Sequence, residues 1–466
     1  MALNESISGW QAQQRDLVLP AVTQSRSIDR VEIASNALAK LPDLLSGLAD
    51  GRGLLVVSDE NTKRAAGDAA IARLVEAGFD VEDLVFPARP RPKPTTELAQ
   101  RIVDALAAND RVPLAIGSGV INDLVKYAAR QTARDYACVA TAASMDGYTS
   151  AGAPLSDKGF KQTIQCAPPR IIVADLDVIT AAPKEMTGWG YADLAGKLPA
   201  GADWILADIL GVEPIDANVW PMVQDHLRDW LSEPGLIANG DSDATAGLFA
   251  GLLMSGMAME VYGSSRPASG ADHQIAHLWE MEGLSFAGET VSHGACVSLG
   301  TLTVLSLYEY LLAQDVGEID IKAQVARWPT FDHVTQEIRS MFPDERIAQR
   351  TIEEAAGKYI DGAALELRLE KLRSAWPELR PRLGSFLMPM AQLRSMLTVA
   401  GVVTHPSQIG MTSEHHRQTV LASRHLRSRY TILDLLAETG WLDPALDALF
   451  SPSGPWSKPE RGAATG

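Results

Sequence analysis

The sequence predicts an α/β domain at the N-terminus followed by an all-helical domain, and three observations predict it. Short apolar runs alternate with helix-like stretches as far as residues 171–173. Beyond them the strand-like runs thin out, and the stretches 244–262, 296–312 and 346–372 carry apolar residues at helical spacing. A glycine turn, Gly117-Ser118-Gly119, stands between an apolar run and a helix, which is how a nucleotide-binding unit opens.

Taken in order, residues 53–57 read as a strand, 63–77 as a helix and 81–86 as a strand. The proline-rich stretch 87–94 is a turn or short extended loop, and 95–109 is a helix capped by Thr95 or Thr96. The run 113–116 is a strand, 122–130 a helix and 137–140 another strand. Pro183, Gly188 and Gly190 interrupt the chain where the strand pattern ends, giving expected domains at 1–185 and 186–450. Residues 451–466, rich in Pro, Gly and Ser, are expected to form a mobile tail.

A hydrophobic fraction of 46% and a charged fraction of 21% over 466 residues exclude a disordered or fibrous chain. No segment reads as an uninterrupted apolar run of spanning length, and residues 1–15 lack a basic start with an apolar core. A cytoplasmic protein without a membrane span is the expectation. Cys138, Cys166 and Cys296 are too few and scattered for a disulfide framework or a cysteine zinc site, and read as buried thiols. A net charge of -17 argues against a nucleic-acid partner and requires that any anionic substrate find positive charge locally.

Four features carry chemistry. Free N–H groups at a helix start after Gly117-Ser118-Gly119 would face a pyrophosphate, although a tight turn without a ligand reads equally well. Asp59, ending a strand, is placed to accept hydrogen bonds from an adenosine ribose or to cap the next helix. The hydroxyl-rich stretch Thr141-Ala142-Ala143-Ser144-Met145-Asp146-Gly147-Tyr148-Thr149-Ser150 follows a strand, where a parallel sheet binds ligands; a solvated loop is the plainer reading. Three of nine histidines, His273, His277 and His293, fall in one short stretch, and the first two share a helix face. With a carboxylate from Asp193 or Asp272, two imidazoles would hold a divalent metal. Spacing leaves open which two.

These residues resemble the bacterial AraM-type sn-glycerol-1-phosphate dehydrogenases, within the iron-containing alcohol dehydrogenase and dehydroquinate synthase-like superfamily. The resemblance is carried by Gly117-Ser118-Gly119-Val120-Ile121-Asn122-Asp123, by Ser144-Met145-Asp146-Gly147, by residues 263–277, by His293-Gly294 and, less specifically, by residues 427–436. It implies an α/β nucleotide-binding domain followed by an all-helical metal-binding domain. It implies that NAD(P)H is held by Asp59, Gly117, Gly119, Val120, Ile121, Asn122, Asp123, Thr141, Ser144 and Ser150. One divalent ion, zinc or nickel with iron permitted, would be held by Asp193, His273 and His293, and His277 becomes a substrate-contacting, proton-delivering residue. Asp146 would touch substrate, and Lys197 joins the substrate set, although Pro199 close behind it disturbs a helix interior. Arg266, beside the histidine stretch, offers a fixed charge for a substrate phosphate or else a structural ion pair.

The reaction so implied reduces dihydroxyacetone phosphate to sn-glycerol 1-phosphate, and the reverse. A dehydroquinate synthase-like cyclase, which returns its nicotinamide unchanged, and a catalytically silent nucleotide-binding protein are the rivals. A small phosphorylated substrate is the expected partner; the oligomeric state stays open, with a homodimer as one option.

Overall fold

The computed structural model describes residues 9–157 and 160–457. Its strands are β1 (Arg30–Ala34), β2 (Leu54–Asp59), β3 (Val81–Phe86), β4 (Val112–Gly117), β5 (Ala137–Ala140), β6 (Ala153–Asp157), β7 (Phe160–Ile164) and β8 (Ile171–Asp175). Six of them form one sheet in the order β1-β8-β5-β4-β2-β3, every neighbouring pair parallel. Strands β4, β5 and β8 are buried along their whole length, and β2 is buried except at Asp59, which is why they read as continuous apolar runs. Leu54, Val56, Leu114, Ile116, Val139 and Val173 lie in one core with Leu41, Leu45, Ala70 and Leu74 from the flanking helices.

The helices needed below are α1 (Thr96–Ala107), α2 (Gly119–Gln131), α3 (Lys184–Ala195), α4 (Lys197–Ile209), α5 (Ser242–Tyr262), α6 (Ala271–Met281), α7 (His293–Leu312) and α8 (Ser413–Ser423). Two compact units emerge: one comprises the chain up to Leu194 together with Asn218–Ser265, the other Ala195–Ala217 together with the chain from Arg266 onward. The first unit holds the six-stranded sheet and α5. Among its described residues the second is helical apart from two-residue strands at Ser285–Phe286 and Glu289–Thr290, whose antiparallel hairpin interrupts an otherwise all-helical pattern.

Several elements depart from the sequence reading. Strand β1 escaped it because Arg30–Ala34 is a short edge strand carrying two charges. The β6–β7 hairpin escaped it because Pro154 and polar residues mask any alternation. The stretch 346–372 divides into Glu345–Ala356 and Gly362–Phe386. Helices α5 and α7 are, by length and composition alone, long and apolar enough to pass for membrane spans, although neither is an uninterrupted apolar run. Their most apolar windows are 78% and 83% buried, as expected of core helices. Within the expected tail, Trp456 is 2% exposed beneath the Arg394 guanidinium, whereas Pro452 and Ser453 are exposed; residues 458–466 lie outside the described residues. All three cysteines are buried thiols outside any disulfide, as expected.

Candidate functional site

In the first unit the carboxyl ends of the parallel strands gather the residues read as cofactor-binding. Asp59 ends β2, and its Oδ1 accepts from the Asn61 and Thr62 N–H groups at 2.7 and 3.0 Å. Thr62 Oγ1 in turn accepts from the Asp59 N–H, so the capping reading is realised as a reciprocal box. Gly117 ends β4 because a Cβ there would stand 2.6 Å from Ile121 Cβ, a distance no side chain tolerates. Helix α2 then starts with no side-chain cap from Ser118. Its first-turn N–H groups therefore receive no side-chain acceptor from Ser118. The side chains of Ile121 and Asn122 turn inward: Asn122 Oδ1 accepts from Tyr136 O–H at 3.1 Å. Only main-chain atoms of these two residues are therefore suited to a cofactor.

The hydroxyl-rich stretch is not a solvated loop. Thr141, Ser144 and Thr149 are buried, and Tyr148 O–H donates to the Ala142 carbonyl at 2.9 Å. The carbonyls of Gly147, Ser150 and Gly152 converge on Lys126 Nζ at 2.7, 3.0 and 3.0 Å. Burial lowers the pKa of that lysine, and the three carbonyls satisfy its three donors. Helix α5 clamps the loop from the other side, where Thr149 Oγ1 donates to the Leu253 carbonyl at 2.7 Å and a Cβ on Gly256 would meet Thr149 Oγ1 at 2.1 Å. Within this frame Asp146 is held twice: its Oδ2 accepts from Ser255 O–H at 2.8 Å, and its N–H donates to Asp193 Oδ2 at 2.9 Å. Asp193, near the end of α3, is fully buried.

In the second unit three imidazoles meet. His273 and His277 lie one turn apart on α6, and His293 is the first residue of α7, whose start is capped by Ser292. Ring centroids stand 5.9 Å apart for His273 and His277, 5.6 Å for His273 and His293, and 5.6 Å for His277 and His293. Each ring presents Nδ1 to a carboxylate: His273 to Asp272 at 2.7 Å, His277 to Glu280 at 3.0 Å and His293 to Glu280 at 2.5 Å. Asp272, left open above as a metal carboxylate, is instead engaged by His273 and, through Oδ1, by the Gly270 N–H at 3.1 Å. Gly196 permits the close approach of the α4 start, since a Cβ there would lie 2.7 Å from Asp272 Oδ2 and 3.0 Å from His273 Cε1.

One assignment changes. Arg266 is fully enclosed; its Nη1 and Nη2 donate to the Tyr430 and Asp203 carbonyls at 3.0 and 2.8 Å, and Nε faces Glu213 at 3.3 Å. A guanidinium whose fork is engaged by the main chain is a structural arginine, so it is withdrawn from phosphate recognition. Lys197 opens α4, and Pro199 falls in the first turn, where a missing N–H costs nothing. Lys197 is fully buried.

The sequence reading missed Lys126, Ser255 and Glu280. Glu280 had a signal, standing three residues after His277 on the same face. Ser255 had none, as a small residue in a long apolar helix.

Residues 32–183 match the iron-containing alcohol dehydrogenase family. The chain is similar to the glycerol-1-phosphate dehydrogenase [NAD(P)+] of Halalkalibacterium halodurans, 34% identical over 288 residues, covering 60% of this chain and 71% of the relative. It is similar to the Bacillus subtilis protein of the same name, 34% identical over 293 residues, covering 62% and 74%. In fold it is similar to a probable glycerol dehydrogenase from Sinorhizobium meliloti, at 17% identity with a TM-score of 0.58, covering 91% of this chain and 98% of that one. An iron-containing alcohol dehydrogenase from Thermococcus thioreducens matches with a TM-score of 0.56 at 13% identity, covering 90% and 98%.

Proposed function

The chain belongs to the glycerol-1-phosphate dehydrogenases, within the iron-containing alcohol dehydrogenases, and on that premise we propose a role for each of its site residues. The reaction is the NAD(P)H-dependent reduction of dihydroxyacetone phosphate to sn-glycerol 1-phosphate, and its reverse.

The ligands we propose for the divalent ion are Asp193, His273 and His293. The observation that carries this is the orientation of the imidazoles: with Nδ1 of each ring turned to a carboxylate, the ring would meet an ion through Nε2. Asp193 adds a fully buried carboxylate. One oxygen and two nitrogen ligands suit zinc or nickel and admit iron. When bound, the ion supplies Lewis acidity at a ketone oxygen and the nicotinamide supplies a hydride.

The chain's own residues do the rest. Main-chain N–H groups at Gly119–Asp123, with Gly117 allowing their close approach, take the pyrophosphate. Asp59 receives the adenosine ribose while capping its helix, and Thr141, Ser144 and Ser150 offer hydroxyls along the cofactor. Asp146, its carboxylate fixed by Ser255, accepts from a substrate hydroxyl. His277 delivers a proton to the substrate oxygen as the hydride arrives, and its Nδ1 contact with Glu280 steadies the ring for that task. Lys197 is the basic residue of the substrate set that remains once Arg266 is removed.

Chelation tests this reading. Turnover should vanish on metal removal and return with a divalent ion. His273→Ala and His293→Ala should lose bound metal, whereas His277→Ala should lose turnover and keep it. Full activity in the metal-free protein would overturn the assignment.

A further inference from the structure

We propose that Glu280 is a positioning residue, one carboxylate that sets both His277 and His293 with Nε2 turned away from it. This rests on the metal reading above for what His293 holds. Glu280 stands on α6 one turn after His277, and its two oxygens are divided between two rings, Oε2 at 3.0 Å from His277 Nδ1 and Oε1 at 2.5 Å from His293 Nδ1. An ionised carboxylate only accepts, so both Nδ1 atoms carry the hydrogen that meets it, and Nε2 of each ring faces away from Glu280. The two rings lie 24° from parallel at 5.6 Å, as two imidazoles hung from one carboxylate would. His273 is set separately, by Asp272.

The division of labour follows from the shared anchor. Glu280 fixes the tautomer of a metal ligand and of the proton-delivering histidine at once, so loosening it disturbs both. A glutamine in its place keeps the shape but has one accepting and one donating arm. The donating arm would face an Nδ1–H, and one ring must change tautomer or swing away.

Two measurements decide it. In metal-free wild-type protein labelled with 15N-histidine, in mildly alkaline buffer, long-range 1H–15N spectra should show His277 and His293 both as Nδ1–H tautomers. In Glu280→Gln, one of them should convert, and zinc affinity, read by competition with a chromophoric chelator, should fall about 10–100-fold. Glu280→Asp should recover part of that loss. An Nε2–H tautomer for either ring in the wild type overturns the proposal even if the variants do not fold. So does zinc affinity in Glu280→Gln within about twofold of wild type, because losing a carboxylate that orients a ligating imidazole costs about 10-fold or more. If wild-type protein binds no zinc, nickel or iron, it is the metal reading that fails, and the tautomers still decide the role of Glu280.

Discussion

Arg266 and Asp59 show how one side chain's surroundings redirect a reading made from its type. Arg266 sits in a stretch rich in family-like residues, and an acidic chain that binds a phosphate needs a cation, so its sequence context points to substrate. Burial points elsewhere, because both of its terminal nitrogens serve carbonyls from segments far apart in sequence. Arg266→Ala should therefore depress kcat/KM for dihydroxyacetone phosphate and for dihydroxyacetone alike. It should also lower stability by about 3 kcal/mol or more, as expected when buried acceptors lose a charged donor. A selective loss with the phosphorylated ketone would restore the phosphate role. Asp59 has two tasks that substitution separates. Asn caps a helix about as well as Asp, so Asp59→Asn should keep the melting temperature while raising kcat/KM for NADPH relative to NADH; Asp59→Ala should shift the same ratio and cost about 1 kcal/mol. An unchanged cofactor ratio in both variants would leave Asp59 a cap alone.

Whole elements, by contrast, were mostly legible where their chemistry is local. Strand β3 and strand β5 fall on the residues read from the sequence, and Thr95 caps α1 through Leu98 N–H, because alternation, apolar runs and hydroxyl caps are signals within a few residues. What stayed hidden depends on distant partners. Nothing local marks Lys126 as the anchor of the loop carrying Asp146, since its three acceptors lie 21 to 26 residues on. Lys126→Met should raise the KM for NADH and lower the melting temperature while leaving metal content unchanged; an unaltered KM would show that the loop holds without it. Helix α8 carries a second such residue. His416 is fully buried among Trp279, Phe450 and Trp456, with Nε2 in a hydrogen bond with Thr303 Oγ1 at 2.9 Å. Burial pushes its pKa down to about 3 from 6.5. Between those values the unfolded chain binds a proton that the folded chain refuses. The stability this ring contributes is thus full above pH 6.5 and is lost as pH falls toward 3. The slope is about 1.4 kcal/mol per pH unit, and His425, also depressed by burial, acts in the same direction. Thermal melts from neutral to acid pH should fall less steeply for His416→Gln than for wild type, and parallel curves would remove His416 from the acid response.

At the scale of the molecule, the α/β half and the helical half were readable because parallel strands and core helices differ in hydrophobic period. The path of the chain was not: Ala195–Ala217 belongs with the residues after Arg266, and Asn218–Ser265 with the sheet, a sorting that tertiary packing alone decides. The same packing brings the three histidines of the second unit together and gives each a carboxylate, of which the sequence named only Asp272. The central claim is that this arrangement serves a metal-dependent, net-redox reaction on a phosphorylated ketone. It is tested most directly by following NADH and product together, with dihydroxyacetone phosphate as substrate, before and after chelation. The account predicts one NADH oxidised per sn-glycerol 1-phosphate formed, no turnover in the metal-free protein, and recovery on adding back a divalent ion; NADH left unconsumed, a product of the opposite enantiomer, or turnover indifferent to chelation would contradict it.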